Sequence, residues 1–136
     1  MRIAFGTDER TAVTDGLVEH LRAGGHEVVV VGDGEAWAVV GASVGEAVAG
    51  GAADRGVVCC WTGTGVSMAA NKVDGVRAAL CTDAETARGA RRWNDANVLA
   101  LGLRLTSPTV AVEVVDAFLG DHEVDEAERP SIDRLR

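Results

Sequence analysis

The stretch Gly56-Val-Val-Cys-Cys-Trp-Thr-Gly-Thr-Gly-Val-Ser-Met-Ala-Ala-Asn-Lys72 decides the fold. Gly56 to Cys60 is a short, mostly apolar run of the kind that forms a strand covered on both faces. Thr62-Gly-Thr-Gly65 cannot continue that strand, but its glycines let backbone N–H groups come close to a ligand. Val66 to Asn71 then reads as a helix, whose N-terminus favours an anion. Within the strand, Cys59 and Cys60 point to opposite faces. A thiol at a strand end, a glycine turn and a helix N-terminus together suit chemistry on an anionic substrate.

The same strand–turn–helix pattern repeats outward from this stretch. Arg2 to Phe5 reads as a strand ended by Gly6-Thr-Asp8, and a helix follows from about Thr11. Val13, Leu17, Val18 and Leu21 share one helical face, and Gly24-Gly25 stops the helix. Glu27 to Val31 is a second strand. Ser43-Val-Gly-Glu46 fits a capping box and opens the next helix. Beyond the central stretch, Val76 to Cys81 is a fourth strand, and Thr82-Asp-Ala-Glu85 a second capping box. Asn97 to Leu101 is a fifth strand, and Ser107-Pro108 starts a long helix with proline at its favoured first position. Five strands alternating with helices imply an α/β fold, a parallel sheet covered on both sides with right-handed crossovers. In such a sheet the ligand sits beyond the carboxyl ends of the strands. Asp8, Cys60 and Cys81 all fall at those ends.

The totals set limits. At 136 residues, 1–136 reads as a single domain with room for a core. A net charge of −8 argues against nucleic acid or an anionic membrane as partner. No apolar run reaches membrane-spanning length and no signal-like segment opens the chain, so a cytoplasmic protein is expected. The three cysteines show neither metal-knuckle nor disulfide spacing, so no metal is expected.

Several motifs carry a family resemblance across nearly the whole chain. Ala53-Asp-Arg-Gly56, Thr62 to Lys72, Arg77-Ala-Ala-Leu-Cys81, Thr86-Ala-Arg88 and Asn94-Asp-Ala-Asn-Val-Leu-Ala-Leu-Gly102 resemble the B-type ribose-5-phosphate isomerases. That family includes the subunits of galactose-6-phosphate isomerase. The resemblance implies a three-layer, Rossmann-like fold with strand order 2-1-3-4-5. It also implies a homodimer or dimer of dimers with shared active sites, and no cofactor. It implies metal-independent aldose–ketose isomerisation of a sugar phosphate through a cis-enediolate, with Cys60 as the base. Thr62, Gly63 and Gly65 would supply the turn that stabilises the enediolate, and Ser67 matches a substrate-loop position. Asn94 matches a residue that holds the sugar. Asp8 matches the aspartate of a Ser-Asp-His-Ala-Gly signature.

Other positions depart from that pattern. Glu9 stands where the family has histidine, and Trp93 where it has the histidine credited with opening the sugar ring. Trp61 replaces a glycine after the cysteine, and Trp37 aligns with a site-lining tyrosine. All three tryptophans therefore fall on substrate-lining positions. Arg129-Pro-Ser-Ile-Asp-Arg134 keeps two cations of the phosphate-binding C-terminal signature at altered spacing. Glu9 would repel a phosphate unless Arg10 compensates. Three readings stay open at this point. One is an isomerase with an altered substrate; the second is a member adapted to another carbohydrate-like or aromatic-bearing metabolite that the tryptophans recognise; the third is a weak or inactive member acting as a binding module or hetero-oligomer subunit.

Overall fold

The structure, a computed structural model, describes residues 1–135; Arg136, the last residue of the expected domain, lies outside them. Five strands alternate with helices. In chain order they are β1 (Arg2–Thr7), α1 (Ala12–Ala23), β2 (Glu27–Asp33), α2 (Trp37–Ala49), β3 (Arg55–Cys60) and α3 (Thr64–Asn71). β4 (Ala78–Leu80), α4 (Ala84–Asn94), β5 (Val98–Gly102), α5 (Pro108–Leu119) and α6 (Arg129–Ile132) follow. All strand pairs are parallel.

The sheet is packed on both faces, and β3 shows why. Val57 and Cys59 join Phe5, Leu99, Leu101 and the inner residues of α1, α4 and α5, among them Leu17, Ala87 and Phe118. Val58 and Cys60 join Ala4, Ala100 and the inner residues of α2 and α3, among them Val40, Val44 and Val66. The two cysteines thus face opposite layers, as alternation along a strand requires.

Three expectations are corrected. The strand order is β2-β1-β3-β5-β4, not 2-1-3-4-5. The five residues of β5, Val-Leu-Ala-Leu-Gly, are buried throughout and so need a neighbour on each side. β4 has only three residues, none of them buried, and suits the edge. Asn71 blunts that edge: its amide accepts from Ala78 N at 2.8 Å and donates to Ala78 O at 2.9 Å. Second, α2 begins at Trp37, so Ser43 lies mid-helix rather than at a cap. Ala36 is the N-cap and offers no side-chain oxygen, which removes the usual start signal. Gly41 lets α2 press on α3; a Cβ there would sit 2.6 Å from Val66 O. Third, the cap of α4 is Asp83, which accepts from Thr86 N at 2.7 Å, one residue later than the box at Thr82. The helices expected from about Thr11 and from Ser107-Pro108 start there, with Thr11 and Ser107 as their N-caps.

Candidate active site

β3 ends at Cys60, and the chain must turn sharply to enter α3. Gly63 makes that turn in the left-handed region, with φ 76°. A Cβ at Gly63 would lie 2.6 Å from Leu80 Cδ1, 2.8 Å from Gly102 N and 2.9 Å from Leu101 C. The turn is therefore wedged against the end of β5, and only glycine fits. No side chain caps α3. Its first-turn N–H groups have no intrahelical acceptor, and a helix start of this kind favours an anion.

Beside this turn lies a cavity of about 320 Å³. It is lined by Cys60, Thr62, Thr64 and Gly65 of the strand end and turn, together with Asp8, Trp37, Trp61 and Met68. Cys60 is 5% exposed, whereas Trp37 and Trp61 are 47% and 54% exposed. The two indoles therefore stand around the cavity instead of filling it. Trp37 lies against the turn: a Cβ on Gly65 would meet its ring at 2.8 Å. The hydroxyls of Thr62 and Thr64 are 2.8 Å apart and hydrogen-bonded. Asp8 Oδ1 is buried with no hydrogen-bond partner among the described residues. Removal from water, reinforced by neighbouring Glu9, raises the Asp8 pKa above the usual carboxylate range. An unpaired buried carboxylate oxygen is costly.

The other cysteines are unsuited to proton transfer. Burial pushes the Cys59 thiol up, and the charges of Cys60 and Asp8 add to the effect. Burial, then Asp83, raises Cys81 to about 11, and its Sγ points to Ala79 O.

The sequence reading takes Thr64 only as part of the Thr62–Gly65 turn and does not include Met68; the cavity lining holds both side chains. Their signal is helical spacing, since Thr64 and Met68 are four apart and share a face of α3. Gly63 and Ser67 belong to the turn and helix without lining the cavity; Ser67 N donates to Gly63 O at 3.2 Å. Glu9 is exposed, its backbone held by the Thr7 hydroxyl. Arg10 does not offset Glu9. Its Nε lies 3.2 Å from Asp15, and it approaches Asp33 at 4.0 Å, in a separate groove between α1 and β2.

The remaining expected residues sit at the opposite rim of the sheet. In a parallel sheet each helix runs back to the strand N-termini, so Asn94, the last residue of α4, lies at the amino end of β5. Val98 pairs with Gly56 and Gly102 with Cys60. The intervening strand length puts about 13 Å between the rims. Trp93 and Asn94 line a groove of about 780 Å³ together with Leu80, Asn71 and Leu135. The Trp93 ring packs on Gly89, where a Cβ would meet it at 2.6 Å.

Arg129 joins this rim through Asp95, the left-handed C-cap of α4, at 3.9 Å, and through Glu126 at 3.3 Å. Asp95 also receives Arg77 at 3.3 Å and buried Arg91 at 3.6 Å. Arg134 is exposed just beyond α6, its N–H bonded to Ser131 O. Within one subunit, then, the residues fall into two groups. Cys60, Asp8 and the turn are at one end; Trp93, Asn94, Arg129 and Arg134 are at the other.

Among the described residues no three His, Cys, Asp or Glu side chains form a metal-holding cluster, and no helix is long and apolar enough to cross a membrane.

Comparison with known proteins bears on this arrangement directly. The family model for ribose/galactose isomerases matches residues 3–135. The chain belongs to the ribose/galactose isomerase family. A galactose-6-phosphate isomerase subunit, LacB, of Clostridium acetobutylicum is 42% identical over 107 residues, 76% of this chain and 62% of that subunit's length. D-erythrulose-4-phosphate isomerase of Pectobacterium atrosepticum is 31% identical over 99% of this chain and 93% of its own. Among solved structures, ribose-5-phosphate isomerase B of Clostridium thermocellum has a TM-score of 0.92 and 36% identity, covering 99% of this chain and 95% of its own. The fold of this solved relative is therefore kept throughout.

Proposed function

We propose that this protein interconverts an aldose and a ketose phosphate through a cis-enediolate, with Cys60 as the base at carbon. The supporting observation is that the Cys60 thiol lines a cavity, beside the uncapped start of α3 and the Oδ1 of Asp8 that has no partner among the described residues. In the thiolate form, Cys60 takes the proton from C2 of the aldose. The C–H electrons form the C1–C2 double bond, and the C1 oxygen becomes anionic. The first-turn N–H groups of α3 and the Thr62 hydroxyl stabilise that oxygen, charge that is present only along the reaction path. Cys60 then returns the proton to C1. Asp8 carries the hydroxyl proton from O2 to O1, so the balance is one C–H and one O–H moved by one carbon. Trp37 and Trp61 offer indole faces to the carbon-bound hydrogens of the sugar.

The reading includes a second copy of the chain. Its far rim would bring Asn94 and Trp93 to the sugar, and Arg129 and Arg134 to the phosphate, for which the Cys60 cavity holds no cation of its own. The names of the relatives span four-, five- and six-carbon sugar phosphates, so the family alone leaves substrate length open.

The test is exchange of the C2 proton with solvent deuterium, followed by isomerisation, using phosphorylated aldoses of four to six carbons. Cys60→Ala should remove both exchange and turnover. Turnover unchanged in that variant would remove Cys60 from the mechanism.

A further inference from the structure

We infer that the Cys60 cavity takes a further substrate class, an unphosphorylated aldose whose far end is apolar, such as a 5-deoxy or 5-alkylthio pentose. This class rests on the isomerase reading above for its chemistry, but not on a phosphate or on a second copy of the chain.

The cavity lining divides by chemistry. Asp8, Cys60, Thr62 and Thr64 carry its polar side chains. Trp37, Trp61 and Met68 supply its large ones, and no cation is among the lining residues. The three large residues are 47%, 54% and 61% exposed and belong to neither of the core clusters on the two sheet faces. Single exposed hydrophobics are ordinary, but three of them bordering one cavity beside a thiol mark a place where apolar ligand surface is buried.

Each is placed by a fixed main chain instead of by burial. Trp61 O accepts from Arg104 N at 2.8 Å, and Cys60 O accepts from Leu103 N at 2.9 Å, so the end of β3 is tied to the chain leaving β5. Trp37 is the first residue of α2, and its ring lies on Gly65, where a Cβ would meet it at 2.8 Å. Met68 lies one turn after Thr64 on α3. Three elements thus bring their apolar side chains to one cavity.

The chemistry of those side chains names the ligand. An indole N–H only donates and a thioether is a weak acceptor, so a substrate hydroxyl turned toward them finds no strong acceptor among the three. An alkyl group there leaves water for carbon and sulfur contacts. The indoles supply broad faces, and the unbranched, polarizable Met68 adapts to tails of different length. Among the polar groups, Asp8 Oδ1 has no partner among the described residues, and Asp8 N is tied to Cys59 O at 3.3 Å. A few placed polar groups with an apolar remainder fit an amphipathic molecule. The hydroxyaldehyde end meets Cys60 and Asp8, and the alkyl end meets Trp37, Trp61 and Met68. The reaction is unchanged. One proton moves from C2 to C1 and one from O2 to O1, giving the 2-ketose, and no bond of the tail breaks.

The experiment measures kcat and KM on the full chain for 5-deoxyribose and for 5-thioribose carrying S-methyl, S-ethyl and S-propyl groups, with ribose 5-phosphate alongside. In the wild type each added methylene should raise kcat/KM about two- to fourfold, through KM with kcat nearly constant, because the tail is bound alike in ground and transition states. Ring-closed fractions are properties of the sugars, so they cancel when wild type and variant are compared on the same series. Trp61→Ala should flatten the rise, and Trp61→Phe, which keeps a ring, should retain most of it. If ribose 5-phosphate is turned over while the alkyl series is not, is flat in the wild type, or rises equally in Trp61→Ala, this inference is overturned and the isomerase reading stands. Trp61→Ala that changes the oligomer mass and leaves the tail dependence intact assigns the indole to an interface and overturns it too. Absence of C2 proton exchange with every aldose, ribose 5-phosphate included, overturns the isomerase reading itself.

Discussion

Alanine at position 63 would disturb the turn in two separable ways. The first is backbone strain: Gly63 has φ 76°, and a left-handed L-residue costs roughly 1–2 kcal/mol. The second is crowding. Two of the three nearest atoms to the new Cβ are backbone atoms of β5, Gly102 N at 2.8 Å and Leu101 C at 2.9 Å, and they cannot rotate away. Overpacking of that kind adds about 1–3 kcal/mol. Gly63→Ala should therefore lose about 2–5 kcal/mol, or roughly 6–20 °C in melting midpoint for a chain of this length. Gly75→Ala is the internal control. Its φ of 87° carries the strain, but its Cβ would meet nothing closer than Ala49 Cβ at 3.8 Å, so about 1–2 kcal/mol is expected there. Urea and thermal unfolding of both variants isolate the crowding as their difference. Since relief of the clash must push the turn away from β5, the folded fraction of Gly63→Ala should also lose turnover while Gly75→Ala keeps it. Equal stability loss in the two variants would show that the turn is not wedged against β5, and the account of its N–H groups as a fixed anion cradle would fall with it.

Asp8→Asn should raise the melting temperature at neutral pH while lowering turnover. Burial holds the folded-state pKa of Asp8 above its unfolded value, so the ionised carboxylate disfavours the fold at neutral pH. The wild type recovers that stability as pH falls through the raised pKa and toward the unfolded one. The gap between variant and wild type should therefore shrink in acid; a gap independent of pH would remove burial of the charge as its cause. Asp83→Ala should cost about 1 kcal/mol of stability and Thr82→Ala almost nothing, because the Thr86 N–H bonds Asp83; the reverse ranking in urea denaturation would restore the earlier cap. For the shared site, Cys60→Ala and Asn94→Ala chains, each inactive alone, should regain roughly a quarter of wild-type activity when their subunits are mixed at random, since half the dimers carry one intact site of two. Zero recovery, with subunit exchange shown by mass, would place both residues in one subunit's site.

How far the chain can be read without its structure depends on the range of the signal. Cys60 at a strand end, the opposed faces of Cys59 and Cys60, and the caps at Thr11 and Ser107 are all set by near neighbours. Strand order is not: β4 and β5 are both short apolar runs, and only the complete burial of β5 in the sheet decides which lies inside. The start of α2 escapes because Ala36 caps with backbone alone. The box at Thr82 misleads because Asp83, the next residue, is an equally good cap whose side chain reaches Thr86. As for the site, Asp8, Cys60 and the turn are legible because topology gathers strand ends at one rim. Met68 is less so: its one signal is the four-residue spacing to Thr64 on α3, and its other neighbours there come from α2, β3 and the turns.

The division of the expected site between two rims follows from the fold itself. A residue that closes a helix in a parallel α/β chain is carried away from the strand ends by the length of the sheet, about 13 Å here. No loop adjustment brings Asn94 to Cys60 within one subunit. The charges follow the same division. The Cys60 rim presents the uncapped start of α3 and the carboxylates of Asp8 and Glu9, while Arg10 is spent on Asp15 and Asp33. The far rim gathers Arg77, Arg91 and Arg129 around the carboxylate of Asp95, with Glu126 also on Arg129. On the proposed reading, an anionic substrate that reacts at the first rim meets these arginines from the second. On the proposed reading this makes assembly part of the active site. Substitutions at Trp93 or Arg129 should then change substrate handling without touching the thiol, because they act through the neighbouring copy.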